Sequence, residues 1–463
     1  MSREDYHFFS HGGLNILLDV PTGAVHLLDN TAATILPFFV QGRRAELGKA
    51  MPQDRLGSAE QAWEQLQRLV DQGIFLSPEP RFSQRPGGGQ IKAMCLHIAH
   101  DCDLRCRYCF AGTGSFGGSR SLMSLDTGIA AVDFLLSSSA RVYEMDFFGG
   151  EPLLNLEVVE RVAAYARQKA EALGKRINLT LTTNAYSLDE SARDRLAQLN
   201  LDIILSHDGR EPVHNAMRPC PGGGQSYQQI TDNILAMIPK LGNRYYVRGT
   251  YTAFNLDFVQ DIQHWLDLGI KRFSLEPVVA PSSAQMAISE EDLPYLREQY
   301  WQLAELALEQ PFTFFHFLLD WERGQCGARR ASGCGAGVEY IAVAPDGVIF
   351  PCHQFVGQPR WQMGDVFSGV TSSVIREEFL AAAMQAKEKC QQCWARYHCG
   401  GGCHANAWWA HGALDKPWEQ GCEILKIRTE AAIYLKAKQA LRQYSSKGDS
   451  HGKEECEHAQ KTG

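Results

Sequence analysis

The sequence contains no apolar run long enough to span a membrane, and the opening Met1-Ser2-Arg3-Glu4-Asp5 lacks the layout of a signal peptide. The chain is therefore expected in the cytoplasm, with no membrane partner. It also lacks a long basic run, and a formal net charge of −8 argues against nucleic acid as its main partner. Cysteine, in contrast, is plentiful. Fourteen cysteines in a chain without an export signal are poorly explained as disulfides, because the cytosol keeps thiols reduced. Metal or cluster ligation explains them better. The remaining composition, 44% hydrophobic and 21% charged over 463 residues, is that of a globular protein with two or three domains.

Residues 1–80 read as a small domain. Residues 14–20 and 24–29 are expected strands around the turn Pro21-Thr22-Gly23, followed by a short helix after Asn30 whose length Pro37 limits. Ser58 and Gln61 form a capping box for a helix that places Trp63, Leu66, Leu69 and Val70 on one face and ends at Gly73. Residues 74–76 then return as a strand. Residues 81–90, with Pro86-Gly87-Gly88-Gly89, read as a linker. Beyond residue 91, apolar runs at 93–98, 142–148, 179–181, 203–205, 245–247 and 273–275 alternate with helical stretches. This alternation implies an α/β fold of parallel strands with crossover helices, and six units make a partial barrel rather than a closed eightfold one. Sites in such folds gather at the carboxyl ends of the strands. Residues 445–463, rich in Lys, Glu, Gly and His without periodicity, are expected to be disordered.

Directly after the first of these strands come Cys102, Cys106 and Cys109, with three and then two residues between them. Three thiolates suit a cube of iron and sulfide that leaves its fourth iron without a protein ligand; a zinc knot is the plainer alternative. With Tyr108 just before the last cysteine, the spacing resembles the signature of the radical S-adenosylmethionine (radical SAM) enzymes. The resemblance implies that the open iron binds SAM and that the cluster-bound cofactor generates the radical, so no side chain is assigned a catalytic role. Gly149-Gly150-Glu151-Pro152, after the second strand, is similar to the family's glycine-rich motif, whose backbone and carboxylate meet the SAM ammonium. Ser206-His207-Asp208-Gly209 resembles the segment that holds the ribose and methionine part, and Arg218 matches the arginine that pairs the SAM carboxylate. Thr182, Thr183 and Asn184 end strand three, and Glu276 ends strand six beside the adenine; core or capping roles are open for these. Tyr108 matches the aromatic residue whose backbone meets the adenine amino group.

From Cys326 onward the composition shifts. Cys334, Cys352, Cys390, Cys393, Cys399, Cys403 and Cys422 follow in an order and spacing that match the SPASM extension of radical SAM enzymes, here residues 321–444 after a barrel at 91–320. The family's wiring implies one auxiliary cluster on Cys390, Cys393, Cys399 and Cys422. It implies a second on Cys334, Cys352 and Cys403, with Cys326 as a candidate fourth ligand, giving three iron–sulfur clusters in all. Zinc is the rival occupant. Residues 1–80 are similar to the winged-helix-like domains that bind leader peptides, against the alternative of a structural cap. The segments 15–20, 332–337, 351–355 and 399–406 together resemble the maturases of SCIFF peptides. What that implies is a thioether between a cysteine sulfur and an α-carbon in a Cys-rich precursor peptide, with a flavodoxin or ferredoxin as low-potential electron donor. The runner-up is another SPASM enzyme such as the sulfatase (formylglycine) maturase; in that group an aspartate follows the cysteine where His353 stands here. A non-catalytic electron-transfer or zinc scaffold is a further alternative, disfavoured by the intact SAM motifs.

Overall fold

The computed structural model describes residues 4–80, 89–319 and 333–459. Most of the expected linker, and Cys326, lie outside these residues. At the amino end, β1 (Tyr6–His11), β2 (Leu14–Asp19) and β3 (Val25–Leu28) form an antiparallel sheet in that order. β1 escaped the sequence reading because its residues do not alternate cleanly in polarity. β2 instead carries the unbroken apolar run Ile16-Leu17-Leu18, so an apolar side chain stands on each face and the strand meets two cores. Leu17 packs with Ile35, Trp63, Leu66 and Phe75 beneath the helices Asn30–Val40 and Leu56–Asp71, whereas Ile16 and Leu18 join the core of the rest of the chain.

Three local expectations fail here. Pro37 lies inside Asn30–Val40 instead of limiting it: near a helix end a missing N–H costs a single bond, and the buried Phe39 anchors the last turn. The helix expected from Ser58 begins at Leu56 behind the turn Gln53–Arg55, so Ser58 sits within its first turn and the helix has no side-chain cap. Residues 74–76 bend rather than extend, with Leu76 at φ 49° and Phe75 inserted into the small core.

All six expected barrel strands form. They are β4 (Ala93–His100) and, after the short β5 (Ser121–Leu122), β6 (Val142–Gly149), β7 (Arg176–Thr183), β8 (Asp202–Ser206), β9 (Tyr245–Tyr251) and β10 (Arg272–Pro277). They run parallel in the order β4-β6-β7-β8-β9-β10. Helices such as Leu156–Ala172 cross between them with an apolar stripe, Val159, Val162, Ala163 and Ala166, turned inward. The sheet does not stop at the expected boundary near residue 320. β11 (Thr313–Phe314) pairs with β10, while β12 (Tyr340–Val343) adds parallel to β4 on the opposite edge and turns back as the antiparallel β13 (Val348–Phe350). Covering the β4 edge in this way removes a row of unpaired backbone groups. It also makes the second cysteine region grow out of the barrel.

The last helix, Glu419–Ala459, lies against Leu293–Glu309 through Arg297–Glu430 at 2.7 Å and Tyr434–Glu305 at 2.5 Å. Its backbone continues through residues expected to be disordered from 445. An established helix adds one hydrogen bond per residue, and no proline interrupts this stretch. No helix among the described residues is long and apolar enough to cross a membrane.

The amino-terminal sheet is docked by rings and by one buried guanidinium. His7 stacks on Trp394 and His11 on Trp301, each at 3.8 Å. Arg396, 2% exposed, donates to the Glu4 carbonyl at 2.6 Å and pairs with Asp5 at 3.1 Å and Glu79 at 2.6 Å. Arg396→Met is expected to lower unfolding stability by about 1–3 kcal/mol, the cost of leaving charge-assisted acceptors unpaired, read from the urea midpoint.

Candidate functional site

The three cysteines of the first group lie on the loop that leaves β4. That loop is held on two sides. Arg105 and Arg107 donate backbone N–H groups to the carbonyls of Pro219 (2.8 Å) and Met217 (2.9 Å), and Asn184 Nδ2 donates to Asp103 at 2.7 Å and to Cys102 Sγ at 3.5 Å. Burial pushes the Cys106 thiol up to about 12 and raises Cys102 and Cys109 as well, so all three are protonated thiols at neutral pH until a metal displaces the protons. No three Cys, His, Asp or Glu groups among the described residues converge tightly enough for a single metal ion. An iron–sulfur cube makes a different demand, one thiolate on each of several irons.

The glycines at the end of β6 are required by close approach. A Cβ on Gly149, whose φ is +129°, would run into the Ala99 carbonyl oxygen; one on Gly150 would meet the Asp101 carbonyl, with Gly114 O at 2.9 Å. Their backbone clamps the cysteine loop, Gly150 N–H donating to Ala99 O (2.7 Å) and Glu151 N–H to Asp101 O (2.8 Å). The Glu151 carboxylate, expected to face a ligand ammonium, is instead fully buried. It accepts from Thr183 Oγ1 (2.7 Å), Asn184 N–H (2.8 Å) and Leu153 N–H (2.9 Å), and burial, then Asp103, pushes it up to about 8. Glu151, Thr183 and Asn184 thus tie β6, β7 and the cysteine loop together, and the buried Pro152 opens the turn Pro152–Asn155 behind them.

Asp208, also fully buried, is the centre of a second knot. It accepts from Tyr108 Oη (2.6 Å) and Thr250 N–H (3.0 Å), and Arg218 Nε lies 3.0 Å away. The guanidinium covers the Tyr108 ring at 5.5 Å, but its Nε–H is out of hydrogen-bond alignment and is a buried donor without an acceptor. Such a group is costly unless a ligand completes it. His207 supports this turn as a neutral imidazole, its Nδ1 accepting from Trp265 Nε1 (2.9 Å) and Gly209 N–H (3.1 Å). The Arg218 guanidinium, which lines a cavity beside the cysteine loop that the glycines clamp, fits a cluster carrying a small zwitterion such as the methionine part of SAM.

A cavity of about 190 Å³ brings together Tyr108, Cys109, Ser206, Arg218 and Glu276 of the expected set, with Thr182. Cys102, Cys106, Gly149, Gly150, Asn184 and Asp208 do not line it and stand in the framework described above. The cavity also takes in Phe110, Phe148, Arg248, Thr250 and His353, which sequence reasoning did not assign to a site. Arg248 and Thr250 had a signal, since they alternate on β9 toward its carboxyl end. His353 was marked only by its place after Cys352, and it reaches this cavity through the β12–β13 hairpin; its ring sits 5.5 Å from Phe110 and 5.4 Å from Phe148. Glu276 pairs with His316 at 2.7 Å and lies 3.9 Å from Arg248. Burial opposes its charge, but His316, Arg248 and Arg428 outweigh that and hold it well below the usual carboxylate range.

On the far side of Glu276 and Pro277 opens a second cavity, about 310 Å³, lined by Cys334, Cys399, Cys403, Cys422, Asn406 and Arg428. The seven described cysteines of the second region fall into two sets. Cys352, raised by burial, next senses Cys334 and Cys403, whereas Cys422, raised by burial to about 12, senses Cys399, Cys390 and Cys393. Beside the second set lies Lys387, 4% exposed, its Nζ donating to the Gly401 carbonyl at 2.9 Å. Burial lowers its pKa while Cys390, Cys399 and Cys422 raise it. A buried ammonium there suits a group that makes four thiols anionic.

Glu151 makes a pH prediction. Its folded pKa, about 8, lies above the unbound value of 4.5, so its stabilising share is full below about 4.5 and is lost as pH rises through about 8. For the cofactor-free chain, urea midpoints should fall across this window, and Glu151→Gln should flatten the slope.

Comparison with known proteins agrees with this geometry. Residues 96–264 match the Radical SAM superfamily. The radical SAM cyclopropyl synthase TigE of Paramaledivibacter caminithermalis is 22% identical over 75% of this chain and 75% of its own length. A cysteine-type anaerobic sulfatase-maturating enzyme of Clostridium perfringens is 25% identical over 65% of this chain and 85% of its own. Streptococcus suis SuiB, solved bound to S-adenosylmethionine and to its precursor peptide SuiA, aligns with TM-scores of 0.53 and 0.52 at 15% identity, covering 91% of this chain and 99% of SuiB. Residues 96–264 of this chain are accordingly a radical SAM domain on a mostly parallel α/β sheet, in a protein whose relatives include peptide-modifying enzymes.

Proposed function

We propose that this protein is a radical SAM enzyme that installs a thioether, cysteine sulfur to α-carbon, in a ribosomally made Cys-rich precursor peptide. The observation that carries the reading is the pair of adjoining cavities: the one beside the first cysteine group and the one beside Cys334 and Cys403 share Glu276 and Pro277 as a common wall. A peptide spanning that wall offers a carbon on one side and a sulfur on the other. Cys102, Cys106 and Cys109 would hold the SAM-binding cluster. Cys390, Cys393, Cys399 and Cys422 would hold one auxiliary cluster, and Cys334, Cys352 and Cys403 the other, with Cys326 a candidate ligand. With SAM and an electron from a flavodoxin or ferredoxin, the first cluster supplies a radical able to take hydrogen from carbon.

The chain's own residues prepare that chemistry. Tyr108, Asp208 and Arg218 fix the cysteine loop against the end of β8, and the guanidinium N–H groups of Arg218 other than Nε, which faces Asp208 at 3.0 Å, would be the donors to the SAM carboxylate. Phe110, Phe148 and His353 wall the reacting carbon from water. The amino-terminal domain, residues 1–80, would take the leader of the peptide as an added strand and raise the local concentration of the core. The cytoplasm is the proposed setting.

Likeness to the sulfatase maturase favours a second reading, formylglycine formation on a protein cysteine or serine. Against it stands His353 after Cys352, hydrogen-bonded to Tyr340 Oη at 2.8 Å, where that group carries an aspartate.

Anaerobically reconstituted protein, given SAM, reductant and the Cys-rich peptide encoded beside its gene, is expected to form 5′-deoxyadenosine and a peptide lighter by two hydrogens per bridge. Unchanged peptide mass alongside abundant 5′-deoxyadenosine rules the thioether reading out; a sulfatase peptide oxidised to formylglycine supports the alternative. Cys334→Ala is expected to lower bridged product by about a hundredfold more than it lowers 5′-deoxyadenosine, in a comparison of initial rates.

A further inference from the structure

The wall between the two cavities carries more positive than negative charge. Arg248 lines the first cavity, Arg428 lines the second, and Glu276 lies between them as the one carboxylate both cavities share. Glu276 is already committed, since His316 Nε2 lies 2.7 Å from its Oε1. Burial lowers the affinity of His316 for a proton, and Arg428 lowers it further. Glu276 is thus shared among His316, Arg248 and Arg428, while Asp146, the other carboxylate that senses Arg248, already accepts from Thr180 at 2.8 Å and Thr182 at 3.3 Å.

Arg248 is the residue of this wall positioned to meet a substrate. It stands on β9, facing into the barrel at the level between Asp146 and Glu276, and its side chain is 47% exposed although it points into a cavity. Its guanidinium makes no hydrogen bond among the described residues, and its one ion-pair contact there, Glu276 at 3.9 Å, is too long to be one. A planar fork of five N–H donors in this state is complementary to a carboxylate. The neighbouring Arg218 is different: it is 8% exposed, paired with Asp208 and packed on Tyr108. The two arginines therefore face different groups, Arg218 the cysteine loop and Arg248 whatever enters the barrel.

We propose that Arg248 is the substrate anchor of the barrel, binding the carboxylate of an Asp or Glu side chain that flanks the modified residue of the peptide. The inference rests on the peptide-modifying reading above and adds a sequence requirement to it. An acidic neighbour would set which residue of a many-cysteine core faces the first cavity while its sulfur lies toward Cys334 and Cys403. A protein of net charge −8 would otherwise repel an acidic segment, so a local positive wall also gives direction to its entry.

The test is a double-mutant cycle on turnover by the reconstituted enzyme. Arg248→Gln and Arg248→Lys are assayed against the peptide encoded beside the gene and against versions with each core Asp or Glu changed to Asn or Gln. Arg248→Gln is expected to raise the peptide KM roughly ten- to a hundredfold with a smaller effect on kcat, and Arg248→Lys to restore part of it. One acidic position in the peptide should give the same rise, and the two changes together should cost no more than either alone. A KM unchanged in Arg248→Gln overturns the anchor. So does a rise that no carboxylate substitution in the peptide reproduces, which would mean a main-chain carbonyl is bound instead. A loss confined to the KM for SAM also overturns it and assigns Arg248 to the cofactor. Should the wild-type enzyme leave the peptide mass unchanged, the proposed function fails, and the anchor with it.

Discussion

The interaction on which the site depends is the pair of backbone hydrogen bonds that Gly150 and Glu151 make to the carbonyls of Ala99 and Asp101. They fasten the end of β6 to the stretch of chain that leads from β4 into the cysteines. No side chain could stand where these glycines stand, because the carbonyl oxygens occupy that space. Once the two strand ends are joined, the Glu151 carboxylate falls onto Thr183 and Asn184, and Asn184 in turn reaches Asp103 and Cys102. Three strands and one loop are thereby locked in register by groups that would be unsatisfied alone. A loop that must hold three thiols in the chain's interior needs such a lock, since burial disfavours their ionisation until metal arrives.

The second cysteine region gains its position from the same sheet. Because β12 pairs with β4, the hairpin that follows delivers Cys352 and His353 to the rim of the barrel, and the last helix closes the far side with Cys422 and Arg428. Glu276 then has a cavity on each face. Proximity of this kind is what a reaction joining two distant parts of one peptide requires, and it arises from strand order rather than from any single motif.

Relatives with different chemistry, a cyclopropyl synthase and a sulfatase-maturating enzyme, resemble this chain to a similar degree. The barrel and its cofactor site can be common to all of them, while the outcome is decided by the residues around the reacting carbon. In this chain the cavity beside the cysteine loop is lined by Phe110, Phe148, Arg248 and His353, none of which belongs to a cofactor motif.

Much was legible in advance. Period and composition gave the six barrel strands and the crossover helices, since an apolar run buried on both faces has few other uses. The spacing of Cys102, Cys106 and Cys109, and the glycines after β6, pointed to the loop and its clamp, because thiol chemistry and the absence of a side chain are properties of residues themselves. Other features depend on neighbours distant in sequence and are invisible to local reading. Among these are the first strand of the small sheet, the inward turn of the Glu151 carboxylate, and the arrival of His353 beside Phe148. The cysteine spacing and the strand periodicity were thus determined by the sequence alone. Which polar groups face the cavity and which are consumed within its walls was decided by tertiary packing, because a buried carboxylate or guanidinium goes wherever donors and acceptors can satisfy it.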